Sequence, residues 1–450
     1  MNGNNQKLIL GEVARWRSAD IIDDDTRKRI LDFYEEDAAT RRSLGFIIFA
    51  SLGALLIGLG IIALFAANWG DLSRGMRALA SVAPVLVSAL LCLYFKTRGK
   101  NSLAFMEPMG LFWGIAIGAG IALISQTYQL PGDMADFLLW WMLLLIPVIY
   151  ATASFSAVLG YQIGVFIWAC TNQANAGVGI GYWPMIAVVI PMLVIFAKAN
   201  PTGPRAILSQ FAFILFSVAA LGITLEKNVA GLWTIIYSSA FALCTLWGRR
   251  YEDENRGIFK TPMRTVGAFG QAVLLFILMY QWPWKEIGYY RNGARFHEWA
   301  SYFDLTLVIV LPAAAILFTL ILGFKERTAK SHRMNVIPFW TAWTMVAPLV
   351  VIAAYAVGSI GGGREGLSAA LVAWTLALLG VGTIADGLIS TSTARVNGGT
   401  LCVLAVVLGK FFSDEFSFTV KGVVFITCGI LFITSNILMA KWAKRKAVAT

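Results

Sequence analysis

Apolar residues fall into fourteen runs between Leu44 and Ala440, each roughly 16–24 residues long, with short polar links between them. One helix needs about 20 apolar residues to cross about 30 Å of hydrocarbon. The pattern therefore predicts an all-α protein, a polytopic transmembrane helical bundle of about fourteen spans. These are placed near residues 44–66, 76–95, 103–124, 136–151, 155–170, 181–197, 206–224, 230–248, 265–281, 302–323, 336–357, 367–388, 396–412 and 418–440. Residues 1–43 form the longest polar stretch, and residues 441–450 form a basic tail. Met1 to Ile9 is polar and the first apolar run starts only at Leu44. No cleavable signal peptide is expected, and the first span acts as its own insertion signal.

The polar stretch 1–43 predicts a short helical hairpin. Ile9, Val13 and Trp16 lie at i, i+4 and i+7 and share one helix face. Asp23, Asp24 and Asp25 suit an N-cap and first turn, where carboxylates accept orphan N–H bonds and meet the positive end of the helix dipole. The second helix then runs from about Asp24 to Arg42, with Ile30, Phe33 and Tyr34 on one face, and continues into the first span. Nine acidic residues face eight basic ones here. That balance suits a solvated cap on the bundle; the sharper alternative is a docking element for a cytosolic partner.

Charge orients the bundle. The chain is 58% hydrophobic and 14% charged, against roughly 25% charged in soluble domains. Of the 36 Lys and Arg residues, 27 fall on one set of alternating segments, which includes both tails, and 9 on the other. This asymmetry is the positive-inside signature. It places both termini in the cytoplasm, in a cell (inner) membrane, with an even number of spans. The net charge of +11 then belongs to the inner leaflet, where it attracts anionic membrane lipids. It calls for no nucleic acid, which would need a basic face on a folded soluble domain. The link Thr152–Ser154 and the loop Thr171–Gly181 carry no charge, so a re-entrant pair among spans four to six stays open as an alternative.

Threading brings two polar stretches to the outer leaflet. Asn68-Trp69 ends span one, Ser125 to Asp133 ends span three, and Asp136 opens span four. Asn68, Trp69, Gln126, Tyr128, Gln129 and Asp133 form the candidate ligand-binding cluster. Amides fix orientation, aromatics offer a stacking wall, and Asp133 offers charge or caps span four. The functional reading is an outward-facing pocket for a headgroup, glycan or ion. The plainer one is an aromatic belt of Trp69, Tyr128, Trp140 and Trp141 with a Pro131-Gly132-Asp133 turn. Gly110, Gly114 and Gly118 follow small-xxx-small spacing, which lets another helix approach span three closely.

Other polar positions carry weaker signals. Glu107 lies about one turn inside span three, and Lys96, Arg98 and Lys100 precede it on the same side. A snorkelling ion pair is expected there, with proton coupling as the alternative. Lys410 and Asp414 suit an interfacial pair worth at most about 1 kcal/mol. Asp386 suits a solvated span end, and Gln162 a bond between helices. The outer loop Gln281–Tyr302 holds Trp282, Trp284, Tyr289, Tyr290, Phe296, Trp299 and Tyr302. It suits an amphipathic helix at the interface, with a glycan-stacking wall as the alternative. The five cysteines all fall in spans, without CxxC spacing, and read as small buried hydrophobes. There is no Walker A, no GxGxxG at a strand–helix turn and no GxSxG. His297 and His332 fall on opposite sides of the membrane. The chain is therefore expected to hold no metal and no cofactor.

Residues from about Leu10 to Tyr150 resemble the bacterial membrane-protein family called domain of unknown function 2157. The resemblance rests on Trp16-Arg17-Ser18-Ala19-Asp20-Ile21-Ile22, on the first span ending Phe65-Ala66-Ala67-Asn68-Trp69, on Ser125 to Asp133, and on Phe137 to Trp141 closing on Ile146-Pro147. The last 60 residues resemble the ends of such proteins, with Lys410-Phe411-Phe412-Ser413-Asp414 ahead of a final span. The family implies a multispan bacterial membrane protein and, by its name, no established activity or catalytic residues. The expectation is an integral membrane protein with a non-enzymatic structural or regulatory role. The alternative is a transporter or flippase entered at the Asn68/Gln126/Asp133 region. A membrane-embedded transferase acting on a lipid-linked substrate is weaker, because no paired intramembrane acids or metal ligands occur.

Overall fold

A computed structural model of the chain describes residues 70, 72–98, 103–171, 176–225, 231–251, 260–285, 299–329, 339–360, 364–389 and 393–411, with scattered positions in 12–60 and 419–434. Regular structure among the described residues is helical throughout. Thirteen helices follow in order: α1 (Arg74–Thr97), α2 (Leu103–Tyr128), α3 (Met134–Thr152), α4 (Phe155–Thr171), α5 (Ala176–Ala187), α6 (Ile190–Ala199), α7 (Pro204–Thr224), α8 (Leu232–Tyr251), α9 (Pro262–Leu278), α10 (Trp299–Ala329), α11 (Phe339–Ile360), α12 (Glu365–Ile389) and α13 (Thr393–Phe411). Helix occupies each of the twelve apolar runs expected between residues 76 and 412, with the run 181–197 divided over α5 and α6. Among the described residues, six helices, Arg74–Thr97, Leu103–Tyr128, Met134–Thr152, Gly181–Ala199, Pro204–Thr224 and Glu365–Leu388, are long and apolar enough to cross a membrane. Six shorter apolar helices of 10–17 residues accompany them. The runs 44–66 and 418–440 and the N-terminal hairpin lie for the most part outside the described residues. Of the hairpin, the Asp23 carboxylate accepts the Thr26 N–H at 3.0 Å, the bond of an N-cap.

Several hydroxyl side chains stay inside these apolar helices by bonding to their own backbone. Ser81, Ser88, Thr127, Thr319 and Thr383 each donate a hydroxyl to the carbonyl four residues earlier, at 2.6–2.8 Å. Such a bond satisfies the hydroxyl without water or a second helix.

The chain divides into two compact units, Met1–Asn172 with Pro184–Ile195, and Gln173–Trp183 with Phe196–Thr450. In the first unit α2 packs against α1, α3 and α4. Glycines set these approaches. A Cβ at Gly120 would lie 2.9 Å from the Ser81 carbonyl oxygen of α1, and one at Gly118 would lie 2.5 Å from the Trp141 ring of α3. In the second unit α8 packs against α9, α10 and α11, and α12 against α11 and α13. Its core gathers Leu275, Leu278, Val351, Ala354, Val372 and the fully buried Trp284. Helices α12 and α13 cross at glycines, since a Cβ at Gly399 would sit 2.6 Å from the Gly380 carbonyl oxygen. Pro312 of α10 and Pro348 of α11 border a small apolar crevice of about 10 Å³, lined also by Ala315, Ile316, Leu349 and Ile352.

Candidate functional site

The stretch from Ser125 to Asp136 stops one helix and starts the next. The Leu130 N–H reaches back to the Ser125 carbonyl at 3.0 Å, and Gln129 takes φ 50° in the left-handed region. A six-to-one bond over a left-handed residue is a Schellman stop, which satisfies a carbonyl the helix end would otherwise leave open. Asp133 then caps α3: its Oδ1 accepts the Asp136 N–H at 2.9 Å. In return Asp136 Oδ2 accepts the Asp133 N–H at 3.5 Å. This reciprocal pair is a capping box. The two carboxylates three residues apart thus act on backbone N–H groups.

Of the candidate cluster, Gln126, Tyr128, Gln129 and Asp133 are exposed and lie on this one stop-and-start turn. Gln129 and Asp133 have backbone roles in it. Asn68 and Trp69 lie outside the described residues. The expected aromatic belt divides. Tyr128 and Trp140 are exposed, whereas Trp141 turns inward and donates its ring N–H to the Gly114 carbonyl at 2.8 Å. Gly110, Gly114 and Gly118 do admit close neighbours, as their spacing predicts. A Cβ at Gly110 would clash with Ser154 Oγ and lie 2.8 Å from Ser154 Cβ, and one at Gly114 would lie 3.1 Å from Leu145.

Glu107, the acid expected in a snorkelling pair, has partners on another helix, and Lys100 lies outside the described residues. Glu107 is 4% exposed, and its carboxylate meets the start of α4. The Phe155 N–H donates to Oε1 at 2.9 Å and the Ser156 N–H to Oε2 at 3.0 Å. The Ser156 hydroxyl lies 2.9 Å from the Glu107 carbonyl and 3.2 Å from Oε2. The Ala157 N–H donates to Ser154 Oγ at 3.2 Å, and the Val158 N–H to the Ser154 carbonyl. Every N–H of the first turn of α4 therefore has an acceptor, two of them on a carboxylate from another helix. The orphan donors and the positive end of the helix dipole both favour an anion at that place. The turn ahead is tight: Ala153 is left-handed at φ 48° and closes α3 through its N–H on the Ile149 carbonyl. Thr152 and Ser154 are 3% and 0% exposed. Sequence reasoning missed this contact because the partners lie 48 and 49 residues apart. The uncharged Thr152–Ser154 link was the signal.

A second set of backbone groups is satisfied by tyrosines. The helical run 181–199 breaks at Val188-Val189, ahead of Pro191, which has no N–H to give. Two carbonyls at the break accept phenol hydroxyls: Met185 from Tyr161 of α4 at 2.9 Å, and Val188 from Tyr150 of α3 at 2.6 Å. Tyr161 is wholly buried. The aromatic loop after α9 also departs from expectation at Trp284, which is buried and donates its ring N–H to the Leu278 carbonyl at 2.8 Å, closing α9. Trp282 and Tyr302 are exposed, and residues 286–298 lie outside the described set.

Apolar helices in this number, with their polar side chains turned onto backbone groups, define a multi-span helical membrane protein. Residues 14–158, about a third of the chain, match the family model described as a predicted membrane protein, domain of unknown function 2157 (DUF2157). The matched segment holds the Ser125–Asp136 turn, the glycine stripe and both sides of the Glu107 contact. No curated protein and no solved structure matches the chain.

Proposed function

We propose that the protein is a non-enzymatic membrane protein with a structural or regulatory role. Its threading is about fourteen helices in the inner membrane, with both termini in the cytoplasm. The observation that carries this reading is the use of its acids. Glu107, Asp133 and Asp136 all hold helix starts. A carboxylate committed to two backbone N–H groups is poorly placed to exchange protons with a substrate. The basic asymmetry along the chain supports the orientation, and the N-terminal hairpin is the natural contact for a cytosolic partner. Reporter fusions at Met1 and Thr450 test the threading, and an external signal from either one overturns it. A thermal-shift screen of anions, cations, soluble headgroups and glycans, run on the wild type and on a Gln126→Ala/Asp133→Asn double variant, tests the role. A compound that stabilises only the wild type overturns the structural reading.

A transporter or flippase is the second reading. The broken run 181–199 favours it, because discontinuous helices build the substrate sites of many transporters. The crevice beside Pro312 and Pro348 is apolar and offers an ion no side-chain ligand. The candidate outward cluster belongs to this reading. It requires Asn68 to lie beside Gln126, and cysteines at those two positions then form a disulfide, which needs Cα atoms within about 7 Å.

A further inference from the structure

We infer that α3 and α4 form a re-entrant hairpin: both enter from the outer side, and their Thr152–Ser154 turn ends inside the bundle, short of the inner water. The inference rests on the proposed threading for its sense of inner and outer. Three observations carry it.

The first is the chemistry of the turn. A loop that reaches water has its N–H groups satisfied there. This turn has Thr152 and Ser154 almost wholly buried, and Phe155 and Ser156 give their N–H groups to Glu107. Irregular backbone at membrane depth is tolerated only where protein surrounds it and supplies its partners. Glu107, Thr152 and Ser154 supply them here, and Gly110 leaves the room for Ser154 to sit against α2.

The second is height along α2. Glu107 is four residues beyond Leu103, the first residue of that helix, so the turn meets α2 about 6 Å past its start. The basic residues Lys96 and Arg98 precede that start.

The third is independent of α2. Tyr150, two residues before Thr152, bonds the Val188 carbonyl. From Val188 the chain runs on toward the inner side through Val189-Ile190-Pro191-Met192-Leu193-Val194-Ile195 without one polar side chain. Those seven residues cover about 10 Å of helix. Ile190, Val194 and Ile195 are 46%, 44% and 50% exposed, as lipid-facing residues are. Hydrocarbon therefore continues past the level at which the α3–α4 turn stops. The same placement explains why this inner link alone carries no basic residue: it has no leaflet surface to meet.

The test is a depth measurement on the full chain in lipid bilayers. The five native cysteines are replaced, and single spin labels are placed by Ala153→Cys and by Lys96→Cys. Collision with oxygen and with a water-soluble nickel complex reports depth. The label at residue 153 is expected about 6 Å or more deeper than the label at 96, the α2 offset, and shielded from nickel on both sides. Equal depth, or free nickel access from the inner side, overturns the hairpin. If Ala153→Cys fails to fold, Ala151→Cys gives the same comparison one residue into α3. Failure of the threading is separately visible: the label at 96 then answers to nickel added from the outer side, whatever the depth at 153.

Discussion

Replacing Glu107 by alanine removes the acceptors of two backbone N–H groups at the start of α4 while leaving the chain around them in place. At 4% exposure, water has little access to the vacated N–H groups. A buried donor left without a partner costs about 1–3 kcal/mol, and bonds to a charged acceptor lie at the upper end of that range. Loss of both, at 2.9 and 3.0 Å, is worth about 3–5 kcal/mol in the folded state. Glu107→Gln keeps one carbonyl oxygen and turns an NH₂ toward the second donor, so about 1–3 kcal/mol is lost. Ser156→Ala removes only the hydroxyl, about 1 kcal/mol. The order Ala worst, Gln next, Ser156→Ala least is the signature of an acceptor for two donors. Equilibrium unfolding in mixed micelles measures it, with the exposed Gln126→Ala as the control, expected within about 0.5 kcal/mol of wild type. A Glu107→Ala protein as stable as Gln126→Ala would refute the reasoning: it would mean that water, or a different packing, satisfies the N-terminus of α4.

Six further substitutions, at five positions, separate backbone roles from chemical ones. Asp133→Ala should cost about 0.5–2 kcal/mol and Asp133→Asn almost nothing, since asparagine caps as well as aspartate; a large loss in Asp133→Asn, read in the same unfolding assay, would show that the charge matters. Gln129→Gly should stabilise by up to about 1 kcal/mol, because φ 50° strains any residue with a Cβ, and a loss there would point to a role for the amide. Gly110→Ala should destabilise by about 2 kcal/mol or more through its clash with Ser154, while Gly160→Ala, which meets open space, should be neutral or better; equal effects would deny the close approach of the turn to α2. Tyr161→Phe should cost about 1 kcal/mol by removing one of the two donors to the Met185 carbonyl, which keeps the Val188 N–H, and faster hydrogen exchange at Val188 and Val189 should accompany it.

The helices between residues 76 and 412 were legible because run length and hydropathy are local properties. The expected 103–124 and 155–170 are found as Leu103–Tyr128 and Phe155–Thr171, with differences confined to the ends, where caps decide. The Asp133 cap was legible for the same reason, since its partner lies three residues on. The left-handed Gln129 was not, because glutamine carries no preference for that conformation and only the geometry of the following turn imposes it. Composition suggests an aromatic belt for Trp141 and an interfacial helix for Trp284. Each points inward because a glycine or a helix-end carbonyl waits at the right distance on the fold, and composition does not encode that distance. The Glu107 contact was hidden for a third reason: its nearby bases Lys96, Arg98 and Lys100 offer a local explanation, whereas the N–H groups it accepts from lie on another helix.

The glycine stripe and the Glu107 contact are parts of one arrangement. Gly110, Gly114 and Gly118 repeat every four residues and lie on one face of α2. That face receives Ser154, Leu145 and Trp141 in turn, so α3 runs antiparallel along it with no Cβ to hold it off. Trp141 fixes the register through the Gly114 carbonyl. With α3 held there, Thr152–Ser154 can only arrive beside Gly110, one turn from Glu107, and the first N–H groups of α4 come within reach of its carboxylate. A larger residue at Gly110 and a lost acceptor at Glu107 should therefore not add. In a Gly110→Ala/Glu107→Ala pair the displaced turn no longer needs the carboxylate, and the double loss should fall below the sum of the single losses by about 1 kcal/mol or more. Strict additivity would separate the stripe from the contact and leave Glu107 as a cap whose position some other packing fixes.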